Sequence, residues 1–124
     1  VYNLAADAVT VSGNTDIAFN SNGALSGVTH TAGATTVTVP NTGIYQIDYG
    51  VNIQAGFGSA VAIAVNGIPV PSTNIPVGVS GAAGTVILSL NAGDVLTLRN
   101  NTVNQIVLSP SPSIGALLRV IQLM

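Results

Sequence analysis

His30 is the single imidazole in a chain of 124 residues that has no cysteine, lysine or glutamate, so few side chains are able to do acid–base or ligand chemistry. The others are Asp7, Asp16, Asp48, Asp94, Arg99 and Arg119. A serine hydrolase would set His30 between a serine and an aspartate, with the serine raised on a Gly-x-Ser-x-Gly elbow. That elbow is missing. A zinc site would need His30 from several copies to converge on one axis, and no feature of its strand places it there. Asp7, Asn14 and Asp16 offer oxygens to calcium without the dense acidic spacing of a dedicated loop. Side chains that bond their own backbone in turns are the simpler reading. The glycines from Gly78 to Gly84 lack the lysine and the strand-to-helix setting of a phosphate cradle. Asn100-Asn101-Thr102 matches the N-glycosylation acceptor, a pattern short enough to arise by chance. Rings that stack on a sugar would have to come from Tyr2 or Phe57. The expectation is no catalytic residue, no metal, no cofactor and no enzyme.

Composition narrows the partners. Charged residues are 5% of the chain, against about 25% in an ordinary soluble domain. Two arginines cannot line a groove for phosphate backbones, which excludes nucleic acid. No run approaches the roughly 20 apolar residues of a spanning helix, and the final IGALLRVIQLM carries Arg119. No membrane span is expected. Without cysteine there are no disulfides or thiolate metal sites, so stability has to come from packing and association. Trypsin-like enzymes find only Arg99 and Arg119, both in predicted strands, which suits a harsh extracellular setting. The opening at Val1, with neither an initiator Met nor a signal-like start, reads as a processed form or a fragment of something longer.

The elements that must position these residues are strands. From Thr42 to Gln54 the residues Tyr45, Ile47, Tyr49, Val51 and Ile53 share one side of a period-two repeat, and Gln46, Asp48, Gly50 and Asn52 share the other. Pro40 to Gly43 punctuates its start. Ala8 to Val11, Ile17 to Phe19, Val28 to Thr31 and Thr35 to Val39 read as short strands before it. After it come Ser59 to Val65, an Asn66-Gly67 hairpin signal, and Ile68 to Pro71, which the prolines confine to an edge. Residues 72 to 84 read as loop. Thr85 to Leu90 and Asp94 to Asn100 read as a hairpin, followed by Gln105 to Ser109 and a last strand from Ile114 to Leu123. About ten short strands in a chain of this size predict one all-β domain over residues 1–124, an antiparallel sandwich or jelly roll. The last strand is apolar on both faces apart from Arg119 and Gln122, which predicts that one face meets another subunit.

Gly43-Ile44-Tyr45 with Ile47, the run Leu90-Asn91-Ala92-Gly93-Asp94-Val95-Leu96-Thr97-Leu98 and the apolar closing strand resemble the globular head shared by complement-component and tumour-necrosis-factor proteins. Within that superfamily, Phe19-Asn20, the stretch Val28 to Gly33 and Val65-Asn66-Gly67-Ile68-Pro69-Val70-Pro71 resemble the C-terminal domain of BclA-type collagen-like spore glycoproteins. The resemblance implies a ten-stranded jelly roll of two antiparallel sheets and a homotrimer. It also implies a structural role as the knob of collagen-like filaments on the exosporium, the spore surface. Any Gly-X-Y stalk would lie before Val1. By the same resemblance Gln46, Asp48, Gly50, Ile87, Ser89, Leu117, Arg119 and Ile121 face partner copies. Tyr45, Ile47, Tyr49, Val86, Leu88, Leu90, Leu118 and Val120 face the core, and Asp48 opposes Arg119. Host-surface or complement ligands are further candidate partners. The alternative is a receptor- or glycan-binding tip of a phage fibre or secreted adhesin.

Overall fold

The computed structural model describes residues 1–4, 9–22, 30–56, 58–110 and 113–124. In chain order its strands are β1 (Tyr2–Asn3), β2 (Val9–Val11), β3 (Val37–Thr38), β4 (Gly43–Ala55), β5 (Ala60–Val65) and β6 (Ile68–Pro69). They continue as β7 (Ile75–Pro76), β8 (Gly81–Leu90), β9 (Val95–Asn100), β10 (Ile106–Leu108) and β11 (Ala116–Gln122).

β4 organises the first sheet because its alternation commits one face to the core: Tyr45, Ile47, Tyr49, Val51 and Ile53 are all buried. β8 runs along one edge of it, from Gly43 opposite Leu90 to Asn52 opposite Gly81. The other edge is shared end to end by β11, from Tyr45 opposite Gln122 to Val51 opposite Ala116, and by β10 at Ile53 and Ala55. β1 extends the sheet from β11 and β2 extends it from β10. The second sheet runs β3, β9, β5, with β6 and β7 on the outer edge of β5. A 3-10 turn at Pro71–Thr73 separates β6 from β7; taken as one interrupted edge, they bring the sandwich to ten strands. All pairings are antiparallel.

The inner side chains of β4 share one buried core with Val61 and Ile63 of β5, Leu96 and Leu98 of β9, and Phe19, Ile106, Leu108 and Leu118. Full burial of each such side chain contributes roughly 1.5–3 kcal/mol. Tyr49 adds a polar pin, because its hydroxyl donates to the Thr73 carbonyl at 2.6 Å. Its ring crosses β8 at Gly84, where a Cβ would sit 3.1 Å from the ring's Cζ and hydroxyl oxygen. Thr73 in turn accepts from the Ile63 amide at 2.9 Å and donates to Val70 at 2.7 Å, which fastens the interrupted edge to β5.

Three sequence expectations change. β8 and β9 do not form a hairpin: β8 pairs with β4 and β9 with β3 and β5, so Asn91 to Asp94 is a corner between sheets. The corner closes on itself through Asp94, whose carboxylate accepts from the Asn91 amide at 2.8 Å, and on β3's neighbour Val39, whose carbonyl accepts from the Gly93 amide at 2.9 Å. β8 starts at Gly81, inside the stretch read as loop, because it is drawn into strand by pairing with β4 rather than by its own Gly-Ala-Ala-Gly sequence. Gly81 is required there: its φ is +146° and a Cβ would lie 2.0 Å from the Val51 carbonyl oxygen. Ile17 and Phe19 are buried as a strand would have them, but Ile17 bonds the Leu98 carbonyl and Phe19 the Ala34 carbonyl, so no ladder forms. Residues 28 and 29 of the expected strand at Val28 to Thr31 lie outside the described residues.

Candidate functional site

The face of the first sheet that points away from the core gathers every residue that the sequence assigned to an interface. Register alone fixes this grouping, since residues opposite one another on neighbouring strands share a face. One row is Ile121, Gln46 and Ile87; the next is Arg119, Asp48 and Thr85; the third is Leu117, Gly50 and Ala83. Tyr2 of β1 lengthens the third row beside Leu117. Beyond the first row, Ser89 lies opposite Ile44, whose carbonyl accepts from the Leu123 amide. Ile87 is 60% exposed, Ile121 42% and Leu123 46%, on a face that a lone sandwich would cover with polar groups.

Small residues hollow out the centre. An open trough of about 560 Å³ on this face is lined by Gly50 and Ala83 together with Asp48, Thr85, Ile114, Leu117 and Arg119. A Cβ at Gly50 would approach the Ala82 carbonyl oxygen to 2.8 Å, so glycine is needed for the close pairing of β4 with β8.

Two charges of opposite sign lie in the middle row. Asp48 Oδ1 accepts from Thr85 Oγ1 at 2.9 Å and from Gln46 Nε2 at 3.2 Å. Asp48 Oδ2 is 3.5 Å from Arg119 Nη1, and the Arg119 side chain is 60% exposed. The opposition of Asp48 and Arg119 is therefore present within one chain. Thr85 and Ala83 were not singled out in the sequence; only the register of β8 on β4, which Gly81 and Gly84 disguise, places them beside Asp48 and Gly50.

The other chemically able residues are tied into the fold. His30 is buried, with Nε2 donating to the Ala34 carbonyl at 3.0 Å, Nδ1 bonded to the Asn22 side chain, and the ring edge-on to Phe19. Asp16 holds Arg99 at 2.9 Å, and Arg99 also donates to the Gly67 carbonyl. Asp7 and Phe57 lie outside the described residues, and Tyr2 is half-buried. Asn100 is fully buried and its amide donates to the carbonyls of Val11, Ser12 and Asn104. It is a structural clasp and offers no acceptor for a glycan. The Asn91 amide and the Asn66 side chain hold the Asp94 carboxyl below its ordinary range, and burial pushes the Tyr49 phenol up. Among the described residues no three His, Cys, Asp or Glu side chains gather as metal ligands, and no helix is long and apolar enough to cross a membrane.

A solved structure of rabbit GITRL is similar to this chain with a TM-score of 0.58 and 18% identity, over 78% of this chain and 77% of that one. At that identity the likeness is one of fold, the tumour-necrosis-factor-like jelly roll. No curated protein sequence matches. The profile described as the BclA C-terminal domain matches residues 1–124, and the chain belongs to that family.

Proposed function

We propose that the domain works as a non-enzymatic clasp that joins three copies of a collagen-like spore-surface protein through the outer face of its first sheet. Membership of the BclA C-terminal domain family implies the C-terminal head of a collagen-like exosporium protein. The observation that carries the assembly step is the face itself, where Ile87 and Ile121 are exposed and Leu117 lines the trough beside Gly50, on the side of the sheet opposite the core. In water that surface is an unfavourable one to leave bare; covered by sister copies it becomes a source of association energy.

The placement of β1 supports the link to a stalk. Val1 and Tyr2 lie along β11 in that same sheet, and the Val1 carbonyl accepts from the Leu118 amide at 2.9 Å. A collagen-like segment entering at Val1 would leave from beside the shared axis, so three such segments would start close together and in register. That raises their effective concentration and lowers the entropic cost of nucleating a triple helix. Adhesion to surfaces would follow from display at the filament tip. Multi-angle light scattering tests the clasp: a mass of three chains is expected for the isolated domain, and a single-chain mass at all accessible concentrations overturns it.

A further inference from the structure

The charged row poses a problem that one chain does not solve. Arg119 has five N–H donors, yet among the described residues its guanidinium meets only Asp48, at 3.5 Å, beyond good hydrogen-bond length. Asp48 is unevenly used: Oδ1 takes two donors, Oδ2 only the distant Arg119. Both charges sit between apolar rows, Ile121 with Ile87 on one side and Leu117 with Ala83 on the other. Once those rows are covered, water is excluded from the row between them, and a guanidinium with one long contact becomes costly. No other charged side chain lies on this face among the described residues.

Resting on the three-copy reading above, we propose that Arg119 of each copy reaches Asp48 Oδ2 of the next copy, giving a closed ring of alternating charge. Each chain brings one charge of either sign, so a cyclic assembly balances them. The apolar rows supply attraction with little directional preference. The ring supplies register: copies slipped by one row would set Arg119 against Leu117 or Ile121 and leave it unpaired. The occupant of this face is thereby a second copy of the same chain.

Charge reversal tests this. D48R and R119D are each prepared alone, checked for folding by circular dichroism, then mixed in equal amounts and weighed by native mass spectrometry. The native chain is expected at three-chain mass and each variant alone as single chains. The mixture is expected to give two-plus-one assemblies weaker than the native trimer but tighter than either variant alone, because two of their three joints match charge again and the third sets like charges together. A native trimer whose variants assemble alone as tightly as the native chain, or whose mixture associates no more tightly than either variant alone across a dilution series, overturns the ring while leaving the clasp intact; a native single chain overturns both. If a reversed chain does not fold, D48N and R119Q take their place. The mixture must then hold together at a several-fold lower concentration than either alone, and equal dissociation of all three samples overturns the ring.

Discussion

Replacing Ile87 by aspartate separates the forces that fold one chain from those that would join several. In the single chain Ile87 is already 60% exposed on β8, so the substitution changes folding stability by no more than about 1 kcal/mol, mostly through strand propensity. In an assembly that covers the outer face, burying the remaining surface is worth about 1.5 kcal/mol per copy. Three copies together lose about 4–5 kcal/mol, or about 10³-fold in the association constant. Each carboxylate must also be stripped of water, which adds several kcal/mol more. Sedimentation of native and I87D chains over a wide dilution series reads this directly. The matched control is I68D: Ile68 is 72% exposed but lies on β6 of the second sheet, and its loss is expected to leave the mass unchanged. If I87D holds a three-chain mass down to the same dilution as the native chain, or if I68D dissociates equally, the first sheet is not the joining surface.

Other perturbations address the fold that holds this surface. Y49F removes the donor to the buried Thr73 carbonyl and is expected to cost about 1–2 kcal/mol, seen as a fall of about 3–8 °C in Tm; no change would mean that the pin is idle. N100A removes the buried amide that donates to the Val11, Ser12 and Asn104 carbonyls and is expected to cost about 1–3 kcal/mol. Glycopeptide mapping after secretion from a glycosylating host should find Asn100 bare. The depressed carboxyl of Asp94 stabilises the corner fully above the unfolded value of about 4, and this contribution is lost as pH falls through the lower folded value. The stability gap between the native chain and D94N should therefore shrink in acid, and a gap constant with pH would contradict it.

β4 was legible because nothing interrupts its alternation: five large apolar side chains fall two apart, and a strand needs no further instruction. The faces of β11 followed in the same way, which puts Leu117, Arg119 and Ile121 on the same side as Gln46, Asp48 and Gly50. β8 was only half legible, since Gly81, Ala82, Ala83 and Gly84 carry no strand signal and are recruited by the edge of β4. The corner at Asn91 to Asp94 misled because a three-residue loop bearing glycine looks alike whether the chain folds back into its own sheet or crosses to the next. Ile17 and Phe19 show the converse. Burial selected apolar residues there, while the backbone bonds went to a loop and a single bridge. Asn100 carried a motif readable in two ways, and its burial decided between them.

The two arginines lie inside paired strands, Arg99 opposite Ala62 and Arg119 opposite Asp48. A trypsin-like protease needs several residues of free extended chain to seat its target, so neither bond can be cut while β9 and β11 keep their neighbours. Cleavage then waits on the opening of a whole sheet. Digestion half-life becomes a clock for that opening, and any substitution that loosens the sandwich will be timed by it before a spectrum registers the change.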